Sequence, residues 1–223
     1  FGVWNIADGK RQWSVKRSGS SSISSVSSAS GGIFVHGDSA GNVAVRSSAD
    51  GAPASEFNLF ERPVMAVEMS ADRQRAVATD NQGSVTVFQP ADGSTLFRLV
   101  GHTSIVKVTA FSADSTLLAT GSNDRSVKIW DMSGGRMIAD LRGHTEAVTA
   151  AAFSADGRLL ATGGADDTIR IWRTSDWSLE RELAGFSNGV ASIAFSPDGT
   201  RLAAATDVGL IRFWEPASGQ QVF

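Results

Sequence analysis

The chain has 223 residues, 42% hydrophobic and 19% charged, which suits a folded domain with a substantial core and excludes global disorder. The formal charge of −3 offers no basic stripe for nucleic acid. No apolar run reaches the roughly 20 residues that cross a bilayer, and no basic-then-apolar start reads as a signal peptide. The absence of cysteine excludes disulfide and thiolate chemistry and is compatible with the cytoplasm, the location expected. Three histidines, His36, His102 and His144, leave little material for a metal site or an imidazole base.

Self-similarity decides the fold class. From Trp4, steps of 42 residues reach Arg46, Phe88, Trp130, Trp172 and Trp214 without a slip. In chain order, Ala91-Asp92-Gly93 marks a turn. Ser126–Trp130 alternates as a strand, followed by Ser133-Gly134-Gly135. Ala155-Asp156-Gly157 precedes a strand at Thr168–Trp172, and Pro197-Asp198-Gly199 precedes another at Leu210–Trp214. Asp-Gly favours tight turns because glycine accepts positive φ without a clash. Each interval holds four short strands and no helix of useful length, the pattern of a propeller blade.

Gly101-His102, Asp124 and Trp130-Asp131 resemble a full WD40 repeat, and Gly143-His144, Asp166 and Trp172-Arg173 resemble a second. The resemblance implies two hydrogen-bonded structural tetrads, His102–Thr120–Asp124–Trp130 and His144–Thr162–Asp166–Trp172. A buried carboxylate needs donors, and an imidazole can link it to a hydroxyl that the indole N–H also reaches. The pattern decays elsewhere. The next tetrad positions hold Phe186, Ala204, Val208 and Trp214; the Phe88 repeat has Phe60, Ala78 and Gln82; the Arg46 repeat has Ser18, His36 and Ala40.

The fold class expected is thus all-β, a WD40-type β-propeller of about five complete four-stranded blades plus a partial N-terminal blade. On the family's layout the blades span 18–58, 60–100, 102–142, 144–184 and 186–223. Residues 1–16 supply two outer strands, one ending at Val3-Trp4-Asn5 and one at Arg11–Val15. A seven-bladed ring at this interval needs about 294 residues, so the chain is expected to be part of a longer polypeptide or complex.

Ser18 to Ser30 is nearly all Ser and Gly. It is read as the first strand of a degenerate blade rather than a linker, because the repeat interval runs through it. Arg46 is read as a solvated side chain rather than an anchor for an acidic partner. Trp13 and Trp177 fall in expected outer strands. His36 and Asp38 alone do not make a metal site, and the tetrad hydroxyls lie against an indole with no oxyanion donors nearby. No phosphate-binding loop is present. No catalytic residue, cofactor or metal is assigned.

Function is therefore expected to be non-catalytic docking of other proteins or peptides on a rigid disc. The alternatives are a substrate- or cargo-recognition module of a larger multidomain, cytoskeletal or ciliary assembly protein and, less favoured, an enzyme using the central channel. In the family, ligands meet positions three and five residues after the His and one before the Asp. By position the candidate partner-binding face comprises Met65, Asn81, Ile105, Lys107, Asn123, Thr149 and Asp207, with Pro63, Ala147, Ala165, Gly189 and Ala191 beside them. Two apolar groups and a cation at Met65, Ile105 and Lys107 would take an apolar peptide side chain next to an acidic one.

Overall fold

The computed structural model describes residues 32–222 in full and the backbone of strands at residues 2–4, 11–14 and 23–29. β1 (Gly2–Trp4) and β2 (Arg11–Ser14) form a two-stranded antiparallel sheet; Asn5 and Val15 lie outside the described residues. The remaining strands form four-stranded sheets, each in simple chain order. The first contains β3 (Ile23–Ala29), β4 (Ile33–Asp38), β5 (Asn42–Ser47) and β6 (Pro53–Asn58). The second contains β7 (Val64–Met69), β8 (Ala76–Asp80), β9 (Val85–Phe88) and β10 (Thr95–Leu99). The third contains β11 (Val106–Phe111), β12 (Leu117–Ser122), β13 (Val127–Asp131) and β14 (Arg136–Leu141). The fourth contains β15 (Val148–Phe153), β16 (Leu159–Gly164), β17 (Ile169–Arg173) and β18 (Leu179–Leu183). The fifth contains β19 (Ser192–Phe195), β20 (Leu202–Ala205), β21 (Ile211–Glu215) and β22 (Gln220–Gln221). No helix occurs among the described residues, and the antiparallel four-stranded sheets are those expected of propeller blades. The serine-rich segment contributes β3, which pairs with β4; Ser18 and its neighbours to residue 22 lie outside the described residues.

The turns explain the strand spacing. Ser70, Ser112, Ser154 and Ser196 each donate Oγ to the aspartate two residues on, at 2.6 Å. The same aspartates accept backbone N–H groups of the following residues, so a Ser-x-Asp tripeptide closes each turn between the first two strands. Between the third and fourth strands, Gly51, Gly93, Gly135, Trp177 and Gly219 occupy one repeated position with φ between 58° and 74°. Trp177 therefore sits in a turn, ahead of β18, and not in an outer strand. It packs its indole on the third and fourth sheets' apolar cluster.

The chain divides into two compact units, residues 1–98 and 99–223. In the first, Val35, Val43 and Val45 meet Val64, Val67 and Phe88 between the first and second sheets. In the second, Ile129, Val127 and Ala119 face Val148 and Leu160, and Ile169, Ile171 and Ala161 face Val190 and Ile193. A small residue on the second strand admits a valine from the following sheet. A methyl group added at Gly121 would come within 2.6 Å of Val148, at Gly163 within 2.5 Å of Val190, and at Gly37 within 2.3 Å of Val64. None of these three glycines has positive φ, so space is what they provide.

Gly163→Ala should therefore destabilise the chain by about 1–3 kcal/mol through overpacking against Val190. Gly134→Ala, whose added methyl meets nothing within 4 Å, should change stability by less than about 0.5 kcal/mol. Urea-denaturation midpoints check the pair; equal effects would show that the close approach at Gly163 is not limiting.

Candidate functional site

In the third sheet, Thr120 on β12 pairs with Lys128 on β13, which puts Trp130 on the diagonal, and the indole Nε1–H donates to Thr120 Oγ1 at 2.8 Å. His102 Nε2 lies 2.8 Å from the same hydroxyl, and Nδ1 lies 2.8 Å from Asp124 Oδ2. One proton arrangement satisfies all four groups. The indole donates to the hydroxyl, the hydroxyl to Nε2, and Nδ1–H to the carboxylate. Asp124 also accepts the backbone N–H of Thr103 at 2.9 Å and that of Ser126 at 3.0 Å, so it pins the loop before β11 to the turn before β13.

The fourth sheet brings His144, Thr162, Asp166 and Trp172 together likewise. Trp172 Nε1 donates to Thr162 Oγ1 at 2.9 Å, His144 Nε2 lies 2.9 Å from it, and Nδ1 lies 3.1 Å from Asp166. A buried cation accompanies each tetrad. Lys128 Nζ reaches Asp140 at 3.0 Å, and Arg170 bridges Asp166 at 3.0 Å and Glu182 at 2.8 Å. Both cations stand on the third strand two residues before the tryptophan. Their charges are matched across the sheet, as burial requires.

Burial pushes His102 and His144 below the usual imidazole range, although their carboxylate partners oppose the shift. Burial alone would raise Asp124 and Asp166. Hydrogen bonds outweigh it and hold both well below the usual carboxylate range: for Asp124 from Ser126, Thr103 and His102, for Asp166 from Thr145, Thr168 and His144. Thr120 and Thr162 are fully buried, so neither hydroxyl meets a substrate. The tetrads are latches within the sheet.

Where the tetrad residues are missing, other groups take their places. His36 and Arg46 occupy the threonine and tryptophan positions of the first sheet. Arg46 Nε donates to His36 Nε2 at 2.9 Å, and Arg46 is 14% exposed. It is thus packed into the sheet rather than solvated, its guanidinium also reaching Gly51 O and Glu56. Burial and the adjacent Arg46 charge lower the His36 pKa to about 4. In the second sheet, Asp80 accepts the N–H groups of Gln82 and Ser84, and in the first Asp38 accepts those of Ala40 and Asn42. These carboxylates cap the same turn as Asp124 but arise two positions earlier in the repeat. In the fifth sheet, the Phe186 and Trp214 rings pack at a tilt of 49° with centroids 5.0 Å apart, and Arg212 lies 5.6 Å above the Phe186 ring.

The candidate partner-binding residues fall on two repeated features. Met65, Lys107 and Thr149 are the extra residues of a β-bulge at the start of β7, β11 and β15. A bulge interrupts the ladder and re-aims the side chain. Lys107 is exposed, Met65 and Ile105 are half-buried, and the Thr149 hydroxyl is engaged by the carbonyls of Gly163 and Val190. Asn81, Asn123 and Asp207 lie in the turns between second and third strands. In the second unit, a cleft of about 470 Å³ is lined by Thr103, Ser104, Asn123, Arg125, Arg142 and Gly143, among others. Another, of about 370 Å³, is lined by Thr149, Ala165, Asp167, Asn188, Ala191 and Asp207, among others. Met65 and Asn81 belong to the first unit. Sequence reasoning missed Arg125, Arg142, Asp167 and Asn188; no motif marks them.

A family profile described as "WD domain, G-beta repeat" matches residues 93–131, 135–173 and 177–215. No curated protein matches the chain.

Two outcomes follow from the latch geometry. Thr120→Val leaves the Trp130 N–H and His102 without their shared partner and should cost about 1–3 kcal/mol, read by urea denaturation. The tetrad histidines and aspartates and His36 all have folded pKa values below their unfolded ones, so the unfolded chain binds protons more readily. Stability should be level above about pH 6.5, fall as the pH drops below it, and fall further below about pH 4 as unfolded aspartates protonate. A urea midpoint that rises between pH 6.5 and 4.5 would contradict this.

Proposed function

Since the chain belongs to the WD40-repeat family, whose repeats generally serve as protein-interaction scaffolds, we propose that it is a non-catalytic docking platform for other proteins or peptides. The observation that carries this reading is the bulge at the start of the first strand. It recurs at one position of the repeat and presents a different residue each time, methionine at 65, lysine at 107 and threonine at 149. Beneath it the latches and sheet packing hold the backbone fixed, so little ordering entropy is lost when a partner binds. Lys107 enters no hydrogen bond or ion pair among the described residues, and half-buried Ile105 lies two residues before it. A cation beside an apolar group suits a partner segment with an acidic residue next to an aliphatic one. The tetrads supply stability and not chemistry in this reading, because their hydroxyls are sealed beneath the indoles.

Ile105→Asp combined with Lys107→Glu should abolish recovery of the specifically bound partner in affinity capture. The melting temperature should stay nearly unchanged. Arg136→Glu, on the exposed fourth strand β14, should leave recovery intact. Undiminished recovery by the folded double variant would exclude this surface.

A further inference from the structure

The turn between second and third strands has one residue in the left-handed region in every complete sheet. Gly41, Gly83 and Gly209 take φ of 86°, 88° and 85° there, and Arg125 and Asp167 take 70° and 64°. Glycine enters that region freely, whereas a side chain is strained in it. Asp167 has a structural return, because its Oδ1 accepts the N–H of Gly189 at 2.6 Å and ties its turn to the next sheet. Arg125 has none. It is exposed, and its guanidinium enters no hydrogen bond or ion pair among the described residues. Arg125 thus presents an exposed guanidinium, with no partner among the described residues, to a group outside the chain.

Its surroundings define the chemistry. Arg125 lines the cleft of about 470 Å³ together with Arg142, the hydroxyl residues Thr103 and Ser104, and the amide residue Asn123. The carboxylate in that lining, Asp124, has both oxygens occupied, Oδ2 by His102 and Thr103 and Oδ1 by Ser126. Arg142 and Lys128 share the single carboxylate of Asp140. Counting these groups, three cations face two carboxylates, and the locality carries one net positive charge. A carboxylate monoanion balances that charge, whereas a phosphate dianion exceeds it. Guanidinium forks also match the planar geometry of a carboxylate. The neighbouring cleft, with Asp167 and Asp207, has the opposite charge character and would repel the same ligand.

We propose that the cleft of Arg125 and Arg142 captures the carboxylate of a glutamate or aspartate side chain in a docked peptide. This rests on the docking reading above and assigns the acid-binding position to the cleft.

The test is an amide NMR titration of the full chain with three capped tripeptides, Ac-Gly-Glu-Gly-NH2, its glutamine analogue and its phosphoserine analogue. The glutamate peptide should shift the amides of Thr103, Ser104 and Asn123, and the glutamine peptide should leave them in place. Arg125→Gly introduces the residue that three other repeats carry, so it should fold at least as well as the parent while weakening glutamate-peptide binding about tenfold. Equal response to glutamine, undiminished binding by the Arg125→Gly variant, or binding of the phosphoserine peptide alone would each overturn the assignment. Partner capture by the Ile105 and Lys107 variants reports on the docking reading separately. Loss of partner there, with a tripeptide response indifferent to Arg125, would sink only the present inference.

Discussion

Burial of one sheet's face by the next is the constraint on which the rest depends. The third strands show this directly. Val127, Ile129, Ile169 and Ile171 are 0% exposed. Val148 and Leu160 pack on the first pair, and Val190 and Ile193 on the second, so the burial of each strand comes from the residues that follow it in the next repeat. Single four-stranded sheets of this composition have apolar residues on both faces and gain stability only as a stack. Within the second unit this stacking is continuous from the third sheet through the fifth. The small residue on the second strand is its steric condition, since a side chain at Gly121 or Gly163 would hold the following valine away.

The latches depend on that packing in turn. A threonine hydroxyl, an imidazole and an indole N–H lose water when the sheets close, and leaving any of them unpaired is costly. The four-residue chain from Trp130 to Asp124 satisfies them in one line and carries the satisfaction out to the loop at Thr103. The sheets without tetrads show that the requirement is general and the solution is not. His36 accepts from Arg46 where Thr120 accepts from Trp130. Phe186 fills the histidine position with an apolar ring packed against Trp214. The interior tolerates either a complete polar chain or an apolar substitute, and a half-built chain would be the unstable case.

The fold was legible because its signals are large side chains and turn dipeptides at a constant interval. Tryptophan at 130, 172 and 214 marks the third strand, and Asp-Gly at 156–157 and 198–199 marks the first turn. Much of the site was not legible. Asp38 and Asp80 cap the same turn as Asp124 from a position two residues earlier, so matching by position assigned alanine and glutamine instead. Arg46 looked solvated because an arginine at a tryptophan position carries no hint that a histidine across the strand will accept from it. Trp177 was drawn into a strand by its bulk, although the turn holds it at a φ of 58°. Only glycine announces a left-handed residue in sequence, so Arg125 and Asp167 gave no warning of theirs.

These same features separate what is fixed from what is free. Packing, latches and Ser-x-Asp turns determine where the backbone goes, and they consume most of the buried polar groups in doing so. Lys107, on the bulge that opens the first strand, and Arg125, the left-handed residue of the following turn, escape them. At the bulge the side chain leaves the ladder, so Met65, Lys107 and Thr149 differ without disturbing the sheet. At the turn glycine is the unstrained choice, and departures from it at Arg125 and Asp167 place opposite charges one repeat apart. On the proposed docking reading, recognition is then a short series of point choices on a frame set by other residues. Changes at Lys107 and Arg125 should alter which partner binds long before they alter whether the chain folds, because neither side chain enters a hydrogen bond or ion pair among the described residues, whereas Thr149 and Asp167 also tie neighbouring sheets together.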